Sequence, residues 1–190
     1  MDILFYLASA NLILFMLLAT YDGFYLHIFK YRLFDRPESL FEHKTHTVRA
    51  ILFPLIVWLL FINETSFFLF LVGVALVVLD IIVLGIDAYH ENESRSFMGG
   101  LPKWEYIVHL FANGFHFSAI ILVLSIRLDV SEGSLLFVDA IAASQAHSLF
   151  QFIAVNVIPG ALILAVLHFI LMIEKPKSIW FNYRSKITCC

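Results

Sequence analysis

Histidine and carboxylate recur three and four residues apart along this chain. Glu42 stands four residues before His46, with His43 three before it. Asp87 precedes His90 by three, with Glu91 next. Glu105 precedes His109 by four, and Asn113 and His116 continue the same stripe. Residues three or four apart share a helix face. Two such pairs on facing helices supply the nitrogen and carboxylate ligands of a mononuclear or dinuclear metal site. Asp22 and Asp80 fall within or beside apolar runs, and His168 lies near the end of the last run. An ionisable group inside a membrane is costly, and marks a functional site by default. The candidate ligands are therefore Glu42, His43, His46, Asp80, Asp87, His90, Glu105, His109, His116 and His168.

Each has a plainer reading. Glu42 to His46 could be a solvated interfacial helix, and Asp87 with His90 could be loop residues just past a helix end. Glu105 could be a first-turn acid facing the helix dipole after Gly99-Gly100-Leu101-Pro102. His109 and His116 resist such readings, because two histidines on one face of a buried helix need polar partners. His147 reads as a surface residue.

The elements that must carry these groups are membrane helices. Of the 190 residues, 61% are hydrophobic and 14% charged, and the mean hydropathy is +0.89. A soluble domain is about 45–50% apolar and about 25% charged. Five apolar runs follow: Ile3–Thr20, Ala50–Ile62, Phe67–Ile86, Tyr106–Ile126 and Leu149–Ile173. A span needs about 20 apolar residues, so the short second run must begin earlier, near His43–Thr47, with a kink at Pro54. The chain is expected to be one all-α transmembrane domain over 1–190, with five spans near 3–27, 45–62, 67–86, 104–126 and 149–173. The first run lacks the basic leader and cleavage site of a signal peptide and reads as a retained helix. Residues 127–148 read as an external segment with a short interfacial helix.

Lys30, Arg32, Arg36, Lys44 and Arg49, then Arg95 and Lys103, then Lys175, Lys177, Arg184 and Lys186 all fall on one side. Asp2, Glu64, Arg127, Asp129, Glu132 and Asp139 fall on the other. By the positive-inside rule the N-terminus lies outside and the C-terminus in the cytoplasm, in a plasma (inner) membrane. Seven of the eight histidines then fall toward the cytoplasmic half, His27 among them. The linker Lys30–Arg49 carries Phe29, Tyr31, Leu33, Phe34, Leu40 and Phe41 in or beside it. It should therefore lie ordered against the membrane, with a break at Arg36-Pro37.

Several functions are excluded. The net charge of −3 and the lack of a basic aromatic patch argue against nucleic acid. Metalloprotease, nucleotide-binding and serine-hydrolase readings lack their HExxH, Walker and GxSxG motifs, and there is no CxxC. Cys189 and Cys190 are adjacent at the C-terminus, so they form neither a disulfide scaffold nor a zinc site, though they could be lipidated. In gathering histidines at the cytosolic membrane surface, the chain resembles membrane di-metal hydroxylases and desaturases. It departs from their HxxxH and HxxHH boxes, having only the HxxH of His43-Lys44-Thr45-His46.

The leading expectation is a metal-dependent membrane enzyme acting on a lipid or other hydrophobic substrate, with iron or zinc as metal. A haem-b electron carrier using His109, His116 or His168 as axial ligands is the second. A non-catalytic subunit or proton pathway is the third. The ligands are expected in a shallow group around Glu42–His46, Asp87, His90, Glu105 and His109. A deeper group would hold Asp80, His116 and His168.

Overall fold

A computed structural model describes residues 1–131, 133–138 and 141–188. Helix α1, Asp2–Ala19, passes without a break into a π-helix over Thr20–Lys30. Helix α2, Leu40–Ile56, ends likewise in a π-helical tail, Val57–Ile62. Helices α3, Phe67–Ser94, and α4, Lys103–Arg127, are joined by a short link. A hairpin of β1, Leu128–Ser131, and β2, Ser134–Phe137, then leads to α5, Gln145–Ile170, and α6, Glu174–Thr188.

Five of these helical stretches are long and apolar enough to cross a membrane: Asp2–Asp35, Pro37–Ile62, Phe67–Met98, Lys103–Arg127 and Gln145–Ile170. Their outward faces are apolar. Phe68 is 72% exposed, Ile163 69% and Leu17 64%, which suits lipid as the solvent and would be costly in water. The polar and charged groups Asp22, Glu42, Asp80, Asp87, Arg95 and Glu105 are instead buried.

The helices exceed the apolar runs at the end that carries these groups. Helix α2 starts at Leu40, and α3 continues to Ser94, so both extend the polar stripes without a break. The linker between α1 and α2 folds as two short 3-10 turns, Leu33–Asp35 and Pro37–Ser39, meeting at an extended Arg36. Leu33 and Phe34 are buried there.

Two expectations need correction. Among the described residues between α4 and α5 there is no separate helix: the hairpin pairs Leu128 with Phe137 and Ser131 with Ser134. Arg127 holds it, its guanidinium 4.6 Å above the Phe137 ring and its Nη2 donating to the Glu64 carbonyl. Alternating Leu128, Val130, Leu135 and Phe137 suit a strand pair better than a helix. His147 is no surface residue either. It is half-buried, with Nε2 2.5 Å from Glu64 Oε1, an oxygen that also accepts from Gln151. The tail contains α6. Trp180 and Phe181 pack it on Ile28, Phe34 and Leu171, and Arg184 Nε donates to the Phe29 carbonyl at 2.8 Å. Glu132, Asp139, Cys189 and Cys190 lie outside the described residues.

Around the bundle α3, α2, α5, α1 and α4 follow in order, each packed on the next. Helices α4 and α3 do not close the ring with comparable packing. At the hairpin end the π-helical tail of α2 reaches α3, α4 and α5 and fills the middle. Gly73 on α3 allows this: a Cβ there would meet Leu60 Cδ2 at 2.6 Å.

Candidate metal centre

Four elements bring their polar stripes to one place. The π-helical segment contributes Asp22 and His27, α2 contributes Glu42 and His46, α3 contributes Asp87, Glu91 and Arg95, and α4 contributes Glu105 and His109. All are buried except His46, which is partly so. The π geometry matters because it returns residue i+5 over residue i. Asp22 and His27 are five apart and converge, with His27 Nε2 3.2 Å from Asp22 Oδ1. On an α-helix they would diverge.

Arg95, fully enclosed, sits between two equally enclosed glutamates. Its Nη1 donates to Glu42 Oε2 at 2.6 Å, and its Nη2 and Nε donate to Glu105 Oε1 at 2.6 and 2.9 Å. Each carboxylate therefore gives one oxygen to Arg95. The other oxygen of each, Glu42 Oε1 and Glu105 Oε2, is buried and accepts no hydrogen bond among the described residues. A buried acceptor without a donor is costly. A guanidinium that fixes two carboxylates through one oxygen of each holds them in the way that supporting hydrogen bonds orient metal ligands.

The free oxygen of Glu42 faces two imidazoles. Glu42 Oε1 lies 3.7 Å from His27 Nε2 and 3.8 Å from His46 Nε2. His46 Nε2 is also 3.0 Å from Asp87 Oδ2, and His109 Nδ1 is 2.5 Å from Glu91 Oε1. Both close pairs lie off the line of a hydrogen bond, so proximity alone does not satisfy these nitrogens. His109 Nε2 donates to Asp22 Oδ1 at 2.9 Å. Two overlapping sets emerge. His27, Glu42 and His46 form one, and Asp22, His27, Glu105 and His109 form the other, the ligand atoms of each within 4.8 Å of one another. Ligand atoms about 2.0–2.2 Å from a zinc stand about 3.3–3.6 Å apart at tetrahedral angles and closer at right angles. The observed separations bracket that range. A buried His/Asp/Glu group of this kind could hold a metal ion.

The charge balance points the same way. Asp22, Glu42, Asp87, Glu91 and Glu105 are five buried carboxylates, and Arg95 is the one guanidinium among them. With neutral histidines four negative charges remain, which two divalent cations would cancel; protonated His46 beside Asp87 and His109 beside Asp22 would cancel two of them instead. Uncompensated, they would oppose burial strongly.

The other expected ligands fall elsewhere. His90 points away: its Nδ1 meets the Ile86 carbonyl at 2.8 Å and its ring packs on Phe41. Asp80 and His116 form a separate pair at 3.2 Å, deeper in the bundle. Arg49 joins them through Nε to Asp80 Oδ1 at 3.0 Å and Nη2 to Asn113 Oδ1 at 2.8 Å. His43 and His168 stack with centroids 4.9 Å apart. Their Nε2 atoms meet the carbonyls of His168 and Gly23 at 2.9 and 3.1 Å. A haem bound at Nε2 of His109, His116 or His168 would displace the hydrogen bond each makes there.

Thr45 Oγ1 donates to Asp87, and Ser39 Oγ to the Ser94 carbonyl at 2.6 Å, so hydroxyls of the second stretch tie it to α3. The link between α3 and α4 is built tightly. Gly99 and Gly100 have φ of +84° and +110°, and the Leu101 N–H donates to Asn92 Oδ1. A Cβ at Gly100 would meet that oxygen at 2.7 Å. This turn sets Arg95 against Glu105. A partly open cleft with a cavity volume of about 100 Å³ joins the cluster to the deeper group. Phe15, Met16, Phe53, Leu84 and Leu164 form its apolar wall, and the polar groups of the two clusters line the rest.

Asp22, His27, Glu91 and Arg95 were not among the expected ligands. A signal for the last two is present: Asp87, Glu91 and Arg95 are spaced by four. No family model, curated protein or solved structure matches this chain.

Proposed function

We propose that this chain is an integral membrane enzyme holding a pair of divalent metal ions in its His/carboxylate cluster and acting on a lipid or other hydrophobic substrate. The observation that carries it is the arrangement around Arg95, where two enclosed glutamates each keep one oxygen without a donor. The oxygen- and nitrogen-rich donor set, without thiolate, suits iron, manganese or zinc. His27, Glu42, His46 and Asp87 would hold one ion, and Asp22, Glu91, Glu105 and His109 the other, with Asp22 near both. When bound, iron would supply oxygen activation for hydroxylation or desaturation, and zinc would supply hydroxide for hydrolysis. The residues themselves orient ligands, exclude water behind apolar walls, and offer the cleft side of the cluster to substrate.

The reading includes an orientation. The lysine and arginine asymmetry supports a cytoplasmic cluster end, with the N-terminus outside and the C-terminus inside a plasma membrane. The test is elemental analysis of detergent-purified protein beside its visible absorption spectrum. Iron or zinc in excess of one ion per chain, without a haem Soret band, is the expected result. A haem spectrum would replace this reading with the electron carrier. Stable, metal-free protein would replace it with the proton pathway.

A further inference from the structure

The deeper polar group serves no role in holding metal, yet it lines the same cleft. Arg49 lies one turn beyond His46 on α2, and Asn113 one turn beyond His109 on α4. His116 lies about 10 Å along its helix from His109. Arg49 spends Nε on Asp80 and Nη2 on Asn113. Its Nη1 makes no hydrogen bond among the described residues, although Arg49 lines the cleft.

The walls around this donor are not closed. Residues of α3 and α4 face each other across the cleft, and these two helices fail to pack closely. Side chains bridge them, Arg95 to Glu105 and Glu91 to His109 toward the cluster end and Asp80 to His116 deeper in the bundle. Between the bridges the lining is Leu84 and Asp87 on α3 and Ala112 with Asn113 on α4. The outward faces of both helices beside this seam are apolar, with Ile81, Ile82, Leu110 and Phe111 all exposed. An opening there would face hydrocarbon.

The charges restrict what can enter. Arg49 and Asp80 cancel each other, and the cluster is neutral once two divalent cations are bound. A charged head would bring an uncompensated charge into the bilayer interior, whereas an oxygen acceptor without charge would complete the hydrogen bonding of Arg49.

Resting on the metal-enzyme reading, we propose that the cleft receives, sideways between α3 and α4, a long-chain amphiphile with an uncharged oxygen-bearing head, an alcohol, ester or amide. That oxygen accepts from Arg49 Nη1, which holds the adjoining part of the chain against the cluster. Arg49 is a substrate-positioning residue, and Leu84 stands at the mouth.

The experiment is photolabelling of the purified holoprotein with a diazirine-bearing octadecanol. Peptide mapping reads the labelled site, with octadecanamide and octadecanoate as competitors. Labelling should map to the facing stretches of α3 and α4 and be displaced by the amide but not by the carboxylate. It should fall about tenfold in Arg49→Met, the loss expected for one hydrogen bond to a charged group. Leu84→Trp, which alters no polar group, should reduce it too. Label scattered over the apolar exterior, or equal displacement by both competitors, or full labelling in both variants, would overturn the proposal. Metal content measured on the same samples reads the enzyme proposal separately. Competed labelling in the cleft of a metal-free protein would sink that reading and leave this one standing.

Discussion

Arg95 is the residue on which the cluster turns. It contacts Glu42, Glu105 and His27 Nε2, the last at 3.1 Å. A single ring nitrogen cannot accept from a guanidinium and donate to Asp22 at once, so His27 is over-committed until something else takes its lone pair. Replacing Arg95 with Leu strands two buried carboxylates. Breaking a buried pair in this way costs about 3–5 kcal/mol, and the melting temperature in detergent should fall accordingly. Arg95→Lys keeps the charge but not the fork, and should fold. Its metal affinity should drop about 10–100-fold, the usual effect of losing a ligand's supporting hydrogen bonds. Competition with a chelator measures this, and unchanged affinity would reduce Arg95 to a structural ion pair. The acids on α2 and α4 were visible in the sequence because i, i+4 spacing is the signature of an α-helical face. Arg95 was read only for its charge, since nothing in a single sequence says that a basic residue at a membrane edge turns inward.

Two helical irregularities hide the rest. Asp22 and His27 are five residues apart, a spacing that an α-helical reading assigns to different faces, and only the π-helix over Thr20–Lys30 brings them together. No residue in that stretch announces the change of winding. His90 and Glu91 are neighbours in sequence, and α3 turns Glu91 inward while His90 lies on Phe41. The choice is made by where α4 places His109, which is tertiary information. Deleting Tyr21, outside the Asp22–His27 interval, should return the segment to α-helical winding with the two residues still five apart, and so separate them. Helicity by circular dichroism should persist while metal binding is lost; retained binding would show that the winding is unimportant. The opposite end of the bundle offers a packing test. Gly73→Val drives a side chain into Leu60 and Leu59, and overpacking of this kind costs about 1–3 kcal/mol. The melting temperature should fall with the metal complement intact.

The whole molecule turns inside out the logic of a soluble protein, with an apolar exterior around an acidic, guanidinium-clamped interior. Five runs of hydrophobic residues were enough to expect this, because hydropathy over a span is a property of composition. The hairpin and the pairing of Glu64 with His147 were not, because they depend on which helix ends meet. The orientation has a direct probe in the chain itself, whose two cysteines both lie in the tail. A membrane-impermeant maleimide should label them only from the cytoplasmic side, and should reach a cysteine placed at Met98 from that same side. Labelling of these positions from opposite sides would refute the arrangement. The most direct test of the central claim is metal stoichiometry in four proteins: the wild type, His46→Ala, His109→Ala and His90→Ala. The wild type should carry about two divalent ions per chain, as a paired carboxylate–histidine site in a helical bundle does. His46→Ala and His109→Ala should each lose one or both ions, and His90→Ala should keep them. Full retention in both cluster variants, or loss equal to theirs in His90→Ala, would contradict the account.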